Sequence, residues 1–595
     1  MVETSPPPGS AATTALTEDS KREPRRLRST RWYDSSDMRG FAHRQRTQQM
    51  GLRREEFLGR PVVAIINTWS EMSPCHIHLR QRADAVKRGV LLAGGYPVEL
   101  PALSVGEVMV KPTTMLYRNF LAMETEELLR SHPIDGAVLL GGCDKSVPGL
   151  LMGAISMDLP AILCPAGPMS NGQWRGVKTG AGTHTKKYWD ELRAGNITAD
   201  DWIDLESRMT RSIGTCNTMG TASTMTSIAD ALGLTFTGAS SIPAADSGHV
   251  RMASACGERI VAMIQADLKP SKILSARSFQ NAMVTYMALG GSTNAAIHLV
   301  AMAGRAGVKL TLEDLAGVAQ ATPVLANLFP SGDRLMEDFF FAGGLPALLA
   351  KLSDRLALDC LTVEGCTLGE ALAAAQCYDD DVIRGLDNPV VPLSRGRTLA
   401  LLRGNLCPDG AVLKSSAAEP RLLQHEGPAL VFDSHAELSA RIDDPALAVD
   451  ENTVLILRNA GPVGAPGMPE WGNLPIPKKL LARGVRDMVR ISDARMSGTH
   501  YGCCIVHAAP EAAIGGPLAL VKTGDRIVLD VQAGRLDMRV EPAELERRRA
   551  AWRAPVSPYQ RSYAALYQAH VGQAPQGCDF DFLQGQARVP EPPIY

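Results

Sequence analysis

Between residues 60 and 165 the chain alternates short, wholly apolar runs with stretches of helical period, and this alternation restricts the fold more than any other feature. Pro61-Val-Val-Ala-Ile-Ile-Asn67 is apolar as far as Ile66, as expected of a strand buried on both faces. Leu79, Ala83, Val86 and Val90 then recur at spacings of four, three and four, one face of a helix that Gly94-Gly95 closes. Asp135-Gly-Ala-Val-Leu-Leu-Gly-Gly142 and Leu159-Pro-Ala-Ile-Leu-Cys164 repeat the buried-strand pattern. Strands separated by helices predict an α/β domain with a largely parallel sheet flanked by helices. In such sheets, ligands collect at the carboxyl ends of the strands.

The pattern changes near residue 385. Asp387-Asn-Pro-Val-Val-Pro392 is linker-like. Beyond it come Ala429–Phe432, Val454–Leu457 and Arg526–Val531, then the turn Ala533-Gly534 and Leu536–Val540, which is a hairpin pattern. A chain of 595 residues is too long for one core. We therefore expect a disordered tail over 1–24, an α/β domain over 25–388 and a β-rich, barrel-like domain over 389–595. The last 30 or so residues are expected to return to the first domain. The basic segment Arg25–Tyr33 reads either as a solvated arm or as a surface that packs on a partner subunit.

Charge and cysteine usage narrow the function. Net charge is −2, which favours neither nucleic acid nor an anionic membrane as partner. No apolar run approaches the ~20 residues of a membrane helix, and the first residues carry no export-signal pattern, so a cytoplasmic protein is expected. The twelve cysteines are scattered and include no C-x-x-C pair, which argues against a zinc ribbon, a ferredoxin or a disulfide scaffold. Three stand out by context. Cys75 falls between a strand and a helix, Cys143 directly follows a strand in Gly-Gly-Cys-Asp-Lys145, and Cys216 sits in a loop of small residues before a helix. An α/β fold could bring all three to one sheet edge. Spacing alone leaves two readings open: buried cysteines in glycine-rich turns, or ligands of one cluster. His76 and His78 are similarly open between helix-start polar residues and ligands.

Six segments in order carry a resemblance: Thr68-Trp-Ser-Glu-Met-Ser-Pro-Cys75, Gly142-Cys-Asp-Lys145, Gly214-Thr-Cys-Asn-Thr-Met-Gly-Thr-Ala-Ser-Thr-Met225, Gly290-Gly-Ser-Thr-Asn294, Gly404-Asn-Leu-Cys-Pro-Asp-Gly-Ala-Val412 and Asp493-Ala-Arg-Met-Ser-Gly498. From about residue 25 to 585 the chain resembles the dihydroxy-acid and phosphogluconate dehydratase family. Within it, the sugar-acid branch that contains L-arabinonate and D-xylonate dehydratases is nearest. The resemblance implies that Cys75, Cys143 and Cys216 hold an iron–sulfur cluster, with 2Fe–2S favoured over 4Fe–4S. It implies Mg²⁺ at Glu107, Asp144, Lys145 and Glu470, with Lys145 carbamylated, and Ser497 as the base, with Thr499 and Lys145 as further catalytic candidates. One departure is that His76 stands where relatives usually have Asn.

Such a protein would be a hydro-lyase, taking a proton from C2 and hydroxide from C3 of an aldonate to leave a 2-keto-3-deoxy acid. An iron with an open position suits the departing hydroxyl, and oxygen ligands suit a hard cation. Asp493-Ala-Arg-Met-Ser, in place of the Asp-Gly-Arg-Phe-Ser common in the biosynthetic relatives, favours the sugar-acid branch, with L-arabinonate as the expected substrate and a homodimer or homotetramer as the expected assembly. The alternatives are D-xylonate or another aldonate, the dihydroxy acids of branched-chain amino acid synthesis, and a non-catalytic iron–sulfur redox protein.

Overall fold

The computed structural model describes residues 26–585 and 589–594; the expected tail over 1–24 lies outside them. The first four strands are β1 (Val62–Asn67), β2 (Tyr96–Pro101), β3 (Gly136–Gly141) and β4 (Ala161–Pro165). They pair in parallel in the order β2-β1-β3-β4. The apolar runs thus lie within a residue or two of their expected bounds, and β1, β3 and β4 are buried at every position.

The crossovers are α1 (Leu79–Leu92), α2 (Thr114–Ser131) and α3 (Ser146–Met157). The chain leaves β1 towards one sheet edge and β3 towards the other. Right-handed crossovers therefore place α1 on one face and α2 and α3 on the opposite face. The sheet reverses direction between β1 and β3, so the carboxyl ends of those two strands form its switch point. A short hairpin, β5 (Gly172–Trp174) with β6 (Val177–Thr179), follows β4. Then come α4 (Thr183–Ala194), α5 (Thr221–Ala231), α6 (Ser247–Ala266), α7 (Ala276–Ala288) and α8 (Asn294–Arg305). Helix α6 packs along α1 and on β3 and β4, completing that layer.

The second region holds β7 (Ala400–Leu402), β8 (Gly410–Leu413), β9 (Gln424–Phe432), β10 (Val454–Leu457), β11 (Arg490–Ser492), β12 (Cys504–Ala509), β13 (Arg526–Asp530) and β14 (Arg535–Arg539). Their order is β14-β13-β9-β10-β11-β12-β8-β7, with the four central strands parallel and the flanking ones antiparallel. Its two edges meet where Arg403 N–H donates to Gly534 O at 2.8 Å and Leu536 N–H to Arg403 O at 2.8 Å. The result is a nearly closed, barrel-like sheet with few free strand edges. Alternation along the strands divides the two faces. Leu413, Cys503 and Ile505 belong to the barrel interior, whereas Val412, Met496, Cys504 and Val506 join the core of the first region.

The basic segment packs on its own chain. Trp32 and Tyr33 are buried against the first core, and Arg28 donates to His132 O and Arg130 O at 2.6 and 2.5 Å. It is therefore not a free arm. The other end of the chain meets it, with Glu591 accepting from Arg28 and Arg31. No helix among the described residues is long and apolar enough to cross a membrane.

Candidate active site

The loop after β1 carries Cys75 and the loop after β3 carries Cys143, so the switch point of the sheet sets two thiols side by side. Cys143 adopts a left-handed conformation at φ 62°, which is costly for a side chain with a Cβ and typical of sites where function fixes the backbone. The preceding Gly142 is required sterically, since a Cβ there would lie 2.3 Å from the Ala166 Cβ. Cys216 arrives by a different route. Thr215 pairs with the stretch after β4 (Thr215 N–H to Gly167 O, Met169 N–H to Thr215 O, both 2.9 Å), and Gly214 N–H donates to Pro74 O at 3.3 Å, beside Cys75.

The three thiols sense one another. A hydrogen bond with Cys143, burial, and the neighbouring Cys143 and Cys216 hold the Cys75 thiol well above its usual pKa. Burial and then Asp144 raise that of Cys216. Glu107 N–H donates to Cys143 Sγ at 3.4 Å, the kind of backbone contact that stabilises a thiolate. His76 ties the two loops together: its Nε2 meets Gly142 O at 3.0 Å and its Nδ1 meets Ser104 Oγ at 2.9 Å. Burial lowers its pKa to about 4, so it is neutral and positions the loops. His78 contacts Ala166 O at 2.7 Å and is likewise lowered to about 4 by burial. Both histidines hold backbone carbonyls beside the thiols.

Next to the thiols is an acidic cluster drawn from both regions. Carboxylate oxygens of Glu107, Asp144 and Glu470 lie within 4.8 Å of one another. The fully buried Lys145 Nζ sits among them, 2.7 Å from Glu107 Oε2, 3.0 Å from Glu470 Oε1 and 3.5 Å from Asp144 Oδ2. Burial and Arg495 oppose its charge, but the three carboxylates outweigh them and raise its pKa. Asp144 is pushed up to about 6 by burial. Glu470 is lowered to about 2, because Lys145 and Arg495 overcome its own burial. Two further residues, within quoted motifs but without an assigned role, hold Glu470 Oε1: Asn294 Nδ2 at 2.7 Å and Arg495 Nη1 at 2.8 Å. Arg495 also donates to Thr113 Oγ1 at 3.0 Å, so one guanidinium spans the seam between the regions.

The donor chemistry fits the groups that the sequence implies. Three clustered thiols near backbone N–H groups can ligate an iron–sulfur cluster, and three carboxylates can hold a hard divalent cation. Asn294 Oδ1, His298 Nε2 and His507 Nε2 are buried without a hydrogen-bond partner among the described residues. The two histidines sense Lys145, Arg495 or Glu470, which leaves polar capacity beside the acidic cluster.

Ser497 comes from the turn between β11 and β12. Its Oγ lies 2.9 Å from Thr499 Oγ1, and Thr499 O accepts from Thr183 Oγ1. Small residues allow the turn to dock on the first region. A Cβ on Gly498 would lie 2.4 Å from Ser292, and one on Gly220 2.6 Å from Thr499 Cγ2. Gly220 begins α5, whose preceding loop carries Cys216, so the serine turn reaches the thiol-bearing loops. A groove of about 680 Å³ along Glu313, Arg403 and Arg535 lies at the closing seam of the barrel and includes none of these groups.

Residues 60–371 match the dihydroxy-acid/6-phosphogluconate dehydratase N-terminal domain, and residues 381–578 match the C-terminal domain of the same family. The chain is 70% identical to a 6-deoxy-6-sulfo-D-gluconate dehydratase of Pseudomonas putida, covering 96% of this chain and 98% of that protein. It is 48% identical to an L-arabinonate dehydratase of Rhizobium leguminosarum bv. trifolii (94% and 97% covered) and 38% identical to a D-xylonate dehydratase of Caulobacter vibrioides (95% and 96% covered). Two domain matches that together span most of the chain, joined to a seam that assembles five of the six quoted motifs, establish that the chain belongs to the dihydroxy-acid/6-phosphogluconate dehydratase family.

Proposed function

We propose that this protein is a hydro-lyase removing water across C2–C3 of a sugar acid, and that its substrate is a six-carbon aldonate bearing a sulfonate at C6. The carrying observation for the chemistry is the seam, where three thiols and three carboxylates from two regions adjoin a serine turn. For the substrate it is the 70% identity to the sulfogluconate enzyme, against 48–49% to those acting on L-arabinonate. L-Arabinonate, the expectation from motifs, is the second reading.

Cys75, Cys143 and Cys216 would hold an iron–sulfur cluster, with 2Fe–2S favoured, and Glu107, Asp144, Glu470 and a carbamylated Lys145 would hold Mg²⁺. These groups, when bound, supply Lewis acidity toward the C3 hydroxyl and the carboxylate end of the substrate. The carbamate answers an electrostatic difficulty: an ammonium 2.7–3.5 Å from all three carboxylates occupies the place of the cation, whereas a carbamate contributes oxygen and negative charge. Ser497 Oγ, its own proton first lost to solvent and the resulting alkoxide favoured by nearby positive charge, would be the proton acceptor at C2. Thr499 Oγ1 orients it, and the packed turn keeps it against the substrate. Arg495 and Asn294 fix the Glu470 carboxylate.

The test is 2-keto acid formation by anaerobically purified enzyme across 6-deoxy-6-sulfogluconate, gluconate, L-arabinonate, D-xylonate and a branched dihydroxy acid. The sulfonated acid should have the highest kcat/KM. A preference for the branched acid would overturn the reading.

A further inference from the structure

His500 follows Ser497 by three residues, and its N–H donates to Ser497 O at 3.1 Å, so its ring stands on the same turn as the base. It is half-buried, and among the described residues its Nε2 has no hydrogen-bond partner. Its other nitrogen is held through a chain of three side chains. Asp487 Oδ1 accepts from Arg490 Nη2 at 2.7 Å, Arg490 Nη1 donates to Asn473 Oδ1 at 2.8 Å, and Asn473 Nδ2 lies 2.9 Å from His500 Nδ1. Arginine can only donate, so the Asn473 atom facing it is the carbonyl oxygen, and the atom facing His500 is the amide nitrogen. The amide donates, so His500 Nδ1 accepts and the ring proton resides on Nε2. Burial, with Lys186 nearby, lowers the His500 pKa to about 4, so the ring is neutral at physiological pH. The charges it senses are Lys186, Glu470 and Arg490, which places it towards the acidic cluster.

A relay that starts from the buried Asp487 and Arg490, fixes a tautomer and leaves one N–H unused is a prepared donor. Resting on the functional reading above, we infer that His500 Nε2–H donates a hydrogen bond to a substrate oxygen beyond C3, making it a specificity-determining residue for polyhydroxylated acids. That reading commits the carboxylate end and the C3 hydroxyl to the bound metal groups, so the unused donor on the serine turn is left for the distal chain. Dihydroxy acids with an alkyl tail offer no acceptor there and would leave the N–H unpaired, which disfavours them.

The experiment compares wild type, His500→Phe, His500→Gln and Asn473→Asp, each checked for wild-type iron–sulfur absorbance. The substrates are a sugar acid and 2,3-dihydroxypentanoate, which lacks oxygen beyond C3; the latter is read as turnover or, where slow, as competitive inhibition. On the sugar acid, His500→Phe should lower kcat/KM by about 10- to 100-fold. His500→Gln, whose amide N–H reaches a similar point, should recover most of it. On 2,3-dihydroxypentanoate the penalty should vanish. Asn473→Asp supplies the readout that a purely structural role would not move. A carboxylate accepts from both Arg490 and His500 Nδ1–H, so above the imidazole pKa the proton leaves Nε2. The kcat/KM of the variant should then fall with rising pH along a limb absent from wild type. Full activity of His500→Phe on the sugar acid, an equal penalty on both substrates, or a wild-type pH profile in Asn473→Asp would overturn the role of His500 alone. Cluster-loaded wild type that turns over no sugar acid would overturn the functional reading and this inference with it.

Discussion

Asp579 is one of the points at which the C-terminal segment is bound back to the first region, and replacing it with Asn gives a calculable loss. The carboxylate accepts from Arg305 Nε at 2.6 Å and Nη2 at 3.0 Å, with both side chains fully buried. Arg305 closes α8, the helix that opens at Asn294 in the site. Its third nitrogen donates to Ser156 Oγ at 2.8 Å, and its next acid, Glu126, is 3.9 Å away. Arg118 lies close enough for the Asp579 charge to oppose the fall in pKa that burial imposes on it. Asp579→Asn keeps the shape but leaves two buried guanidinium groups with little compensation. Removing one partner of a buried pair costs ~3–5 kcal/mol. A multi-region chain does not unfold in two states, so local opening is the quantity to measure. Where opening equilibrates before cleavage, that loss speeds native-state proteolysis of the segment by about 10²- to 10⁴-fold. The double variant Arg305→Met/Asp579→Leu should recover part of that loss, since apolar replacement of a buried pair is often near neutral, while Arg118 still lacks the Asp579 charge. Acceleration below about tenfold in Asp579→Asn would refute the reasoning.

Three further outcomes are expected. Cys75→Ser, Cys143→Ser and Cys216→Ser should each lose visible iron–sulfur absorbance, and wild-type cluster content in any one removes that residue from the ligand set. Ser497→Ala should keep cluster and Mg²⁺ but lose at least the ~10²–10⁴ typical of a general base, mostly in kcat; near-normal turnover would move the role to Thr499 or Lys145. Lys414 is buried with no hydrogen-bond partner among the described residues, and burial alone lowers its pKa from 10.5 to about 7. A folded pKa below the unfolded one means that stability is full above about pH 10.5 and is lost as pH falls towards 7. Lys414→Met should therefore raise the denaturation midpoint at pH 7, with the gain shrinking by pH 10; destabilisation at pH 7 would reveal a partner for the ammonium.

What the sequence discloses depends on whether a signal is local. The runs at 62–67, 136–141 and 161–165 are readable because strands buried on both faces must be apolar throughout. The second region is legible as β-rich and barrel-like, but the way it closes is not. Its closure is a backbone pairing of Arg403 with Gly534 and Leu536, more than a hundred residues apart, and β7 has three residues, too few to show a period. The basic segment looked like an arm or a partner surface because charge dominates it, yet Trp32 and Tyr33 anchor it to its own core. In the site, thiols and carboxylates are marked by residue type and motif. Arg495 and Asn294 lie in quoted motifs, but their contact with Glu470 depends on turn geometry that joins two regions. Substrate choice is the least legible, because the groups that perform the chemistry do not distinguish one 2,3-dihydroxy acid from another.

The most direct test follows 6-deoxy-6-sulfogluconate by NMR in D₂O with the anaerobic, cluster-loaded enzyme. The account predicts loss of the C2 hydrogen, loss of the C3 oxygen, and a 2-keto-3-deoxy product with one solvent deuteron at C3, as tautomerisation of an enol requires. An unchanged substrate, or an oxidised product that keeps the C3 oxygen, would contradict it.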